Sequence, residues 1–206
     1  LYRIAKRTSD LLLALAGLIL LTPALVAIAL WIKSDSPGLI FYRGIRVGQF
    51  GKLFRIFKFR TMVANADRIG GPSSAADDPR ITRAGAFLRR YKLDELPQLI
   101  NVIRDDMSLV GPRPEVPQYV EMFNEEEKVI LSVAPGITDW ASIWNPDEGA
   151  ILAGCPDPEK TYLEVIRPRK IQLQLEYVRN HSFWTDLRIL VQTAKVILLH
   201  PRAGPM

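Results

Sequence analysis

Asp94 and Glu95 stand side by side in L-D-E-L, two carboxylates between leucines in a segment whose other charges, Arg83, Arg89, Arg90 and Lys92, are basic. Adjacent carboxylates on a helix usually mark a solvated face, and the local pattern alone favours that reading. It also permits chemistry. A carboxylate can attack phosphorus and form an acyl phosphate, provided that the phosphate's charge is neutralised. Cations are at hand: Arg113 lies in Gly111-Pro112-Arg113-Pro114, where two prolines stiffen the backbone and leave the guanidinium little entropy to lose. Lys58 and Arg60 are further phosphate-binding candidates, and a divalent cation could share the task. Other nucleophiles lack their motifs. There is no G-x-S-x-G, no P-loop and no metal-binding histidine pair. Cys155, the single cysteine, has no Cys/His motif around it and excludes a disulfide framework. His181 and His200 come late in the chain, where structural or solvated roles are expected.

These residues need elements to position them. Residues 39–62 predict a β-hairpin, with apolar runs on either side of a Gly48 to Gly51 turn. Residues 64–83, rich in Gly, Pro, Ser and Asp, read as a mobile loop. Residues 86–104 have helical periodicity interrupted by Pro97, so the acidic pair sits on a helix with a kink or break just after it. Gly111 to Pro114 must turn. Residues 118–133 read as a helix with Glu125, Glu126 and Glu127 on a solvated face, and Pro135-Gly136 ends it. Residues 171–179 fit strand alternation and a helical face equally. Residues 183–199 form an amphipathic helix, expected to lie on a bilayer with Trp184 at the interface rather than to pack wholly on the core.

The remaining segment belongs to a membrane. Residues 11–32 are uncharged and apolar, about 30 Å as a helix, enough for a hydrocarbon core. The segment is too long for the apolar part of a signal peptide. Basic residues flank both ends: Arg3, Lys6 and Arg7 before, and Lys33, Arg43, Arg46, Lys52, Arg55, Lys58 and Arg60 after. Lysine and arginine mark the cytoplasmic side, so a straight pass would strand one cluster. Thr22-Pro23, mid-segment, removes a backbone hydrogen bond and offers a bend, although charge and proline alone leave a kinked single pass equally open. The 206 residues suit one domain with an appended membrane element, and a net charge of +5 suits an anionic partner without saying which. The sequence starts at Leu1 rather than Met and leaves open what precedes it.

Four motifs occur in order: K-F-R-T-M at 58–62, L-D-E-L-P-Q-L-I-N-V at 93–102, D-M-S-L-V-G-P-R-P at 106–114 and P-G-I-T at 135–138. Together they resemble the bacterial sugar transferases, monotopic phosphoglycosyl transferases that start cell-envelope glycan assembly. The resemblance runs from the basic amino terminus through Tyr177, Val178 and Asp186, and corresponds to the family's minimal catalytic form. It implies transfer of a sugar-1-phosphate from a UDP-sugar to polyprenyl (undecaprenyl) phosphate, with release of UMP, by a ping-pong route. Asp94 would be the nucleophile and share in binding Mg²⁺, Glu95 would assist with metal or proton handling, and Lys58, Arg60, Arg89 and Arg113 would contact phosphates. The fold implied is α/β but mainly helical. A re-entrant helix-break-helix, residues 1–36 with its break at Thr22 and Pro23, would carry a catalytic domain, residues 37–206, with a β-hairpin and interfacial amphipathic helices. The enzyme would sit on the cytoplasmic face of the bacterial inner membrane, with the phospholipid bilayer as partner and no nucleic acid expected; a homo-oligomer is compatible. Four features depart from the family pattern: Ala134 where Arg is common, Asp139-Trp140-Ala141-Ser142 where Gly-Trp-Ala-Gln is common, Gln174 where Asp is expected, and the unusual stretch 144–158. They leave the acidic pair untouched and the choice of sugar open. The rival is a non-catalytic, membrane-anchored basic module for anionic lipid or RNA, since aromatic and basic residues interleave over 54–59. It would leave Asp94, Glu95 and Arg113 idle.

Overall fold

The computed structural model describes residues 2–66, 69–70 and 73–199. Helix α1, Tyr2–Asp35, contains the whole apolar segment, with Pro23 inside it. Four short strands follow: β1 Phe41–Tyr42, β2 Ile45–Val47, β3 Leu53–Arg55 and β4 Lys58–Phe59. β2 pairs with β3, and β1 with β4, both antiparallel, so the predicted hairpin is present as two ladders closed by a turn at Gln49–Gly51. Helix α2, Arg83–Arg90, is capped by Thr82, whose side chain accepts the Gly85 N–H. A 3-10 turn, Leu93–Gln98, and helix α3, Leu99–Ile103, come next. The helical segment is therefore broken earlier than Pro97. Lys92, with φ at 57°, takes the left-handed conformation and redirects the chain before the acidic pair.

Strand β5, Ser108–Val110, pairs in parallel with β6, Gly136–Thr138. The region between them is not the single helix expected over 118–133. It holds a short helix α4, Pro117–Val120, and a separate 3-10 turn, Glu127–Ser132. The cause is local: Asn124 and Glu127 each accept the other's backbone N–H, at 2.9 and 3.2 Å, a reciprocal cap that starts a new turn. Glu127 also pairs with Arg167 at 2.8 Å, so it leaves the solvated face that Glu125 and Glu126 keep. Short helices α5 Trp140–Trp144, α6 Glu148–Leu152 and α7 Pro158–Thr161 lead through a π turn, Tyr162–Ile166, into α8, Arg167–Asn180. The ambiguous 171–179 segment is thus helical. Its buried residues Lys170, Ile171, Leu173, Gln174, Tyr177 and Val178 recur at helical spacing and win over the alternating pattern. Helix α9, Phe183–Leu199, closes the described chain; His200 lies outside it.

Helix α1, about 51 Å long at the usual rise, lies along the domain instead of projecting from it. Its first turns are tied down: Lys6 Nζ pairs with Asp186 at 2.7 Å, Arg7 donates to the Val102 and Ile103 carbonyls, and Asp10 accepts from Ser108 Oγ at 2.7 Å. Ala14 packs with Phe54, Ile56, Val102 and Met107. At the other end Ile32 packs with Phe59 and Leu88, and Asp35 accepts the Ala84 N–H at 3.1 Å. Truncating Leu88, fully buried in that cluster, would cost about 2–5 kcal/mol. The expected break at Thr22 and Pro23 is not a gap between two helices. The helix runs unbroken through Pro23, and Thr22 Oγ1 donates to the Leu18 carbonyl at 2.6 Å, a back-bond of the kind that bends helices. The outer face of α1, with Leu12, Leu13, Ile19, Leu20 and Leu30, is exposed, as are Phe183, Trp184, Leu187, Val191 and Leu198 on α9. Among the described residues α1 alone is long and apolar enough to cross a membrane, judged by length and composition.

Candidate active site

The acidic pair sits in the 3-10 turn, not on a solvated helix face: Asp94 and Glu95 are both buried. Three elements converge there. β4 brings Lys58, held in place by the burial of its neighbour Phe59 under α1 and α2. The turn after β5 brings Arg113. That turn is fixed by a close approach of two glycines, since a side chain on Gly111 would meet the Ala134 carbonyl at 2.3 Å and one on Gly136 would meet the Gly111 nitrogen at 2.1 Å. The Gly136 N–H donates to the Pro112 carbonyl at 2.9 Å, locking the residue before Arg113 to β6. P-G-I-T and G-P-R-P are thus two halves of one backbone device.

Glu95 is fully committed. Lys58 Nζ lies 3.0 Å from Oε1, Arg113 Nη1 3.0 Å from Oε2, and Arg113 Nη2 also bonds Oε1. This is a bidentate fork with a lysine added on one side. Asp94 is the opposite case: its Oδ1 is buried with no hydrogen-bond partner. Burial pushes the Asp94 carboxyl up; Lys58 pulls it back, the charge of Glu95 adds to the rise, and the net shift is upward. Burial also pushes Glu95 up, but Arg113 and then Lys58 outweigh it and hold that carboxyl well below its ordinary value. Burial lowers Lys58, in part offset by Glu95, whereas Glu95 raises Arg113. Glu95 is therefore firmly ionised and spent on two cations. Asp94 keeps an oxygen with nothing to bind.

All of this lines a cleft of about 1000 Å³. Arg89 also lines it, with its Nε on Thr61 Oγ1 at 2.9 Å and its Nη1 on Ser74 Oγ at 2.7 Å. Arg60 reaches the cleft wall, but its guanidinium is engaged by the Leu39, Ser36 and Met62 carbonyls and by Ser36 Oγ, so it ties the end of α1 to β4. The structure brings Asp94, Glu95, Lys58 and Arg113 into contact, leaves Arg89 acting on Asp94 by charge from the cleft wall, and turns Arg60 to a structural tie. Thr22 and Pro23 lie inside the continuous helix α1, away from the cleft. His181 is structural: it touches the Val178 carbonyl at 2.7 Å and its ring lies 5.4 Å from that of Tyr2. Cys155 is not among the residues lining the cleft.

Two features escaped the sequence reading. Arg46 and Lys92 act on the site by charge, Arg46 on Lys58, and Lys92 on both carboxylates. A second ionic group, Lys170, Glu115, Glu148 and Tyr162, lines the same cleft. Its signal was present: Lys170 lies on the stripe that Ile166, Leu173 and Tyr177 mark as buried, where a charge needs a partner.

No group of three or more His, Cys, Asp or Glu side chains suited to a metal occurs among the described residues. Magnesium does not need one, because it commonly takes one or two carboxylates and completes its shell with substrate phosphates and water. The orphan Oδ1 of Asp94 fits that pattern, and the occupied oxygens of Glu95 do not.

The chain as a whole has counterparts among known proteins. The sequence model of the bacterial sugar transferases matches residues 1–200. The chain belongs to that family. It is 36% identical over 200 residues, 96% of its length, to a UDP-N-acetylgalactosamine-undecaprenyl-phosphate N-acetylgalactosaminephosphotransferase of Aeromonas hydrophila. It is 40% identical over 195 residues, 93% of its length, to the UDP-glucose:undecaprenyl-phosphate glucose-1-phosphate transferase of Escherichia coli K12. The chain spans only 44% and 39% of those two proteins. A third relative, the exopolysaccharide production protein ExoY of Sinorhizobium fredii, is 34% identical over 211 residues, 95% of this chain and 86% of the relative.

Proposed function

We propose that this bacterial sugar transferase moves a sugar-1-phosphate from a UDP-sugar to undecaprenyl phosphate, and that Asp94 carries the phosphosugar between the two. The observation behind this reading is the contrast inside the acidic pair: one carboxylate locked by two cations, the other buried beside it with an unpartnered oxygen. In the first half-reaction an Asp94 oxygen attacks the sugar-bearing phosphorus. The bond from that phosphorus to the bridging oxygen breaks, and UMP leaves with the oxygen. In the second, an oxygen of the polyprenyl phosphate attacks the same phosphorus, the acyl–phosphate bond breaks, and the Asp94 carboxylate is restored. Lys58 and Arg113, pre-set by Glu95, neutralise the diphosphate as charge shifts onto the leaving group. Magnesium, held by Asp94 and the donor's phosphates, would supply further charge neutralisation. The relatives' names support donor and acceptor classes, and a ping-pong order lets a soluble and a lipid substrate use one nucleophile in turn.

The same reading places α1 in the cytoplasmic leaflet as a re-entrant element. Both its ends are tied to one domain, by Lys6, Arg7 and Asp10 at the start and by Ile32 and Asp35 at the finish, while its outer face is apolar and exposed. A helix docked at both ends keeps both basic flanks on one side, and α9 with exposed Trp184 would lie in the same interface. Lys6 and Lys52 are then expected to react only with reagents admitted to the cytoplasm. Labelling of either from outside intact cells would overturn the topology without touching the chemistry.

The chemistry is tested by mixing purified protein with a panel of UDP-sugars and Mg²⁺ without acceptor. Intact-protein mass spectrometry is expected to show one added sugar-phosphate on the peptide containing Asp94, lost when polyprenyl phosphate is added. RNA or lipid binding with no UMP release from any donor would favour the basic-module reading instead.

A further inference from the structure

Two of the residues that depart from the family pattern, Asp139 and Gln174, meet in the interior, where both are fully buried. Asp139 precedes α5 and caps it: its Oδ1 accepts the Ser142 N–H and the Ser142 hydroxyl, each at 2.7 Å. Its Oδ2 accepts the backbone N–H of Arg113 at 3.2 Å and the Gln174 Nε2 at 3.4 Å. The same Nε2 also lies 3.4 Å from the Arg113 carbonyl, to which it donates. Arg113 is thus held at both faces of its backbone, the N–H by a carboxylate and the C=O by an amide. Its neighbours Pro112 and Pro114 have no N–H to offer, so Arg113 supplies the one backbone donor between Pro112 and Pro114.

We propose that Asp139 and Gln174 are a positioning pair for Arg113, setting the aim of its guanidinium at Glu95 and at the donor's diphosphate. The proposal rests on the phosphotransfer reading above. Neither residue touches the reacting atoms; both act through the Arg113 backbone. What matters is that the contact holds one carboxylate and one amide. Gln174→Glu would set two carboxylates against each other in a buried place. Asp139→Asn would leave two amides competing for acceptors. The double exchange Asp139→Asn/Gln174→Glu keeps one of each, but a carboxylate at position 174 cannot donate to the Arg113 carbonyl, so it does not rebuild the grip.

The test uses the full chain in detergent and follows exchange of labelled UMP into UDP-sugar without acceptor lipid, so that only the first half-reaction is read. Gln174→Glu is expected to lower the exchange kcat about 10- to 100-fold with little change in KM, the scale of a buried polar group left unpaired. The double exchange is expected to stay as impaired as Gln174→Glu, and each single substitution to lose most of its effect in an Arg113→Lys background. A purely structural pair would move the melting temperature without that coupling. If Gln174→Glu does not fold, Gln174→Met removes the hydrogen bonds without adding charge and is expected to cost about 10-fold in kcat. Wild-type exchange by the folded single variant, a double exchange restored to the wild-type rate, or full effects in the Arg113→Lys background would each overturn the proposal. Absence of exchange in the wild type would instead sink the phosphotransfer reading, and the positioning role with it.

Discussion

Lys170 and its partners form a closed set: the ammonium lies 2.7 Å from Glu115, 3.8 Å from Glu148 and 3.1 Å from the Tyr162 hydroxyl, and that hydroxyl donates in turn to Glu115 at 3.3 Å. Asp94, Glu95, Lys58 and Arg113, in the same cleft, do not close: two cations converge on one carboxylate, and the other keeps a buried oxygen without a partner. Both groups cost desolvation, and only the first recovers it within the protein. Burial lowers Lys170, yet Glu115, Tyr162 and Glu148 outweigh it and hold the ammonium well above its ordinary value; no comparable compensation reaches Asp94. The complete ionic group fits a scaffold role, and the incomplete one fits the proposed site for a charged ligand.

The largest test of that contrast is Asp94→Asn. It keeps the shape and removes both the nucleophilic charge and the unpaired desolvation cost. UMP release should fall by a factor on the order of 10⁴ or more, while the midpoint of chemical denaturation stays equal or rises. Loss of activity together with loss of stability would place Asp94 in the scaffold instead. Deamidation of the asparagine back to aspartate must be checked by mass spectrometry.

Glu95→Gln should be the next in size. It leaves Lys58 and Arg113 without their common anion, so turnover should slow roughly 10²- to 10⁴-fold, and the phosphosugar adduct should still form. Lys170→Met attacks the other cluster. Removing one partner of a buried pair leaves Glu115 uncompensated and should cost about 3–5 kcal/mol of folding stability. Activity per folded molecule should stay near wild type, measured as UMP release normalised to the folded fraction. If Lys170→Met stopped turnover without unfolding, the division between scaffold and chemistry would fail.

How much of this the sequence disclosed follows the range of the interactions. The long apolar helix, the hairpin around Gly48 to Gly51 and the G-P-R-P turn were legible because each is set by neighbours in sequence. The helix over 118–133 was misread because a local cap between Asn124 and Glu127 overrides the apolar periodicity. Asp94 and Glu95 looked solvated in local pattern and proved buried, since what covers them comes from β4 and the turn after β5, 36 residues before Asp94 and 19 after it at Lys58 and Arg113. The family motifs named Asp94, Glu95, Lys58 and Arg113, which converge in the structure, but not their division of labour. Nothing in the order Asp-Glu says that the second carboxylate is spent on cations and the first is left open.

That division has a consequence in pH. In the proposed mechanism attack needs the Asp94 carboxylate ionised, and burial moves its titration upward. Activity is therefore present above that raised value and lost as pH falls through it. Glu95, held well below its ordinary value by Arg113 and Lys58, stays ionised throughout the same fall and sets no step there. The acid limb of kcat/KM for UMP release, which reports the free enzyme, should then show a single inflection, displaced upward. Lys58 is the cation that pulls Asp94 down most. Lys58→Met should move the inflection further up, whatever it does to the maximum rate, whereas Lys170→Met should leave it in place. In stability the sign is opposite for the two carboxylates. A raised Asp94 favours the folded state only in acid, below its unfolded value, and that contribution is lost as pH rises through the folded one. A depressed Glu95 favours the folded state above its own unfolded value, and that contribution is lost as pH falls through the folded one. An inflection that did not move in Lys58→Met would mean that Asp94 is screened from the lysine in solution, and that the incomplete cluster is completed by something other than substrate.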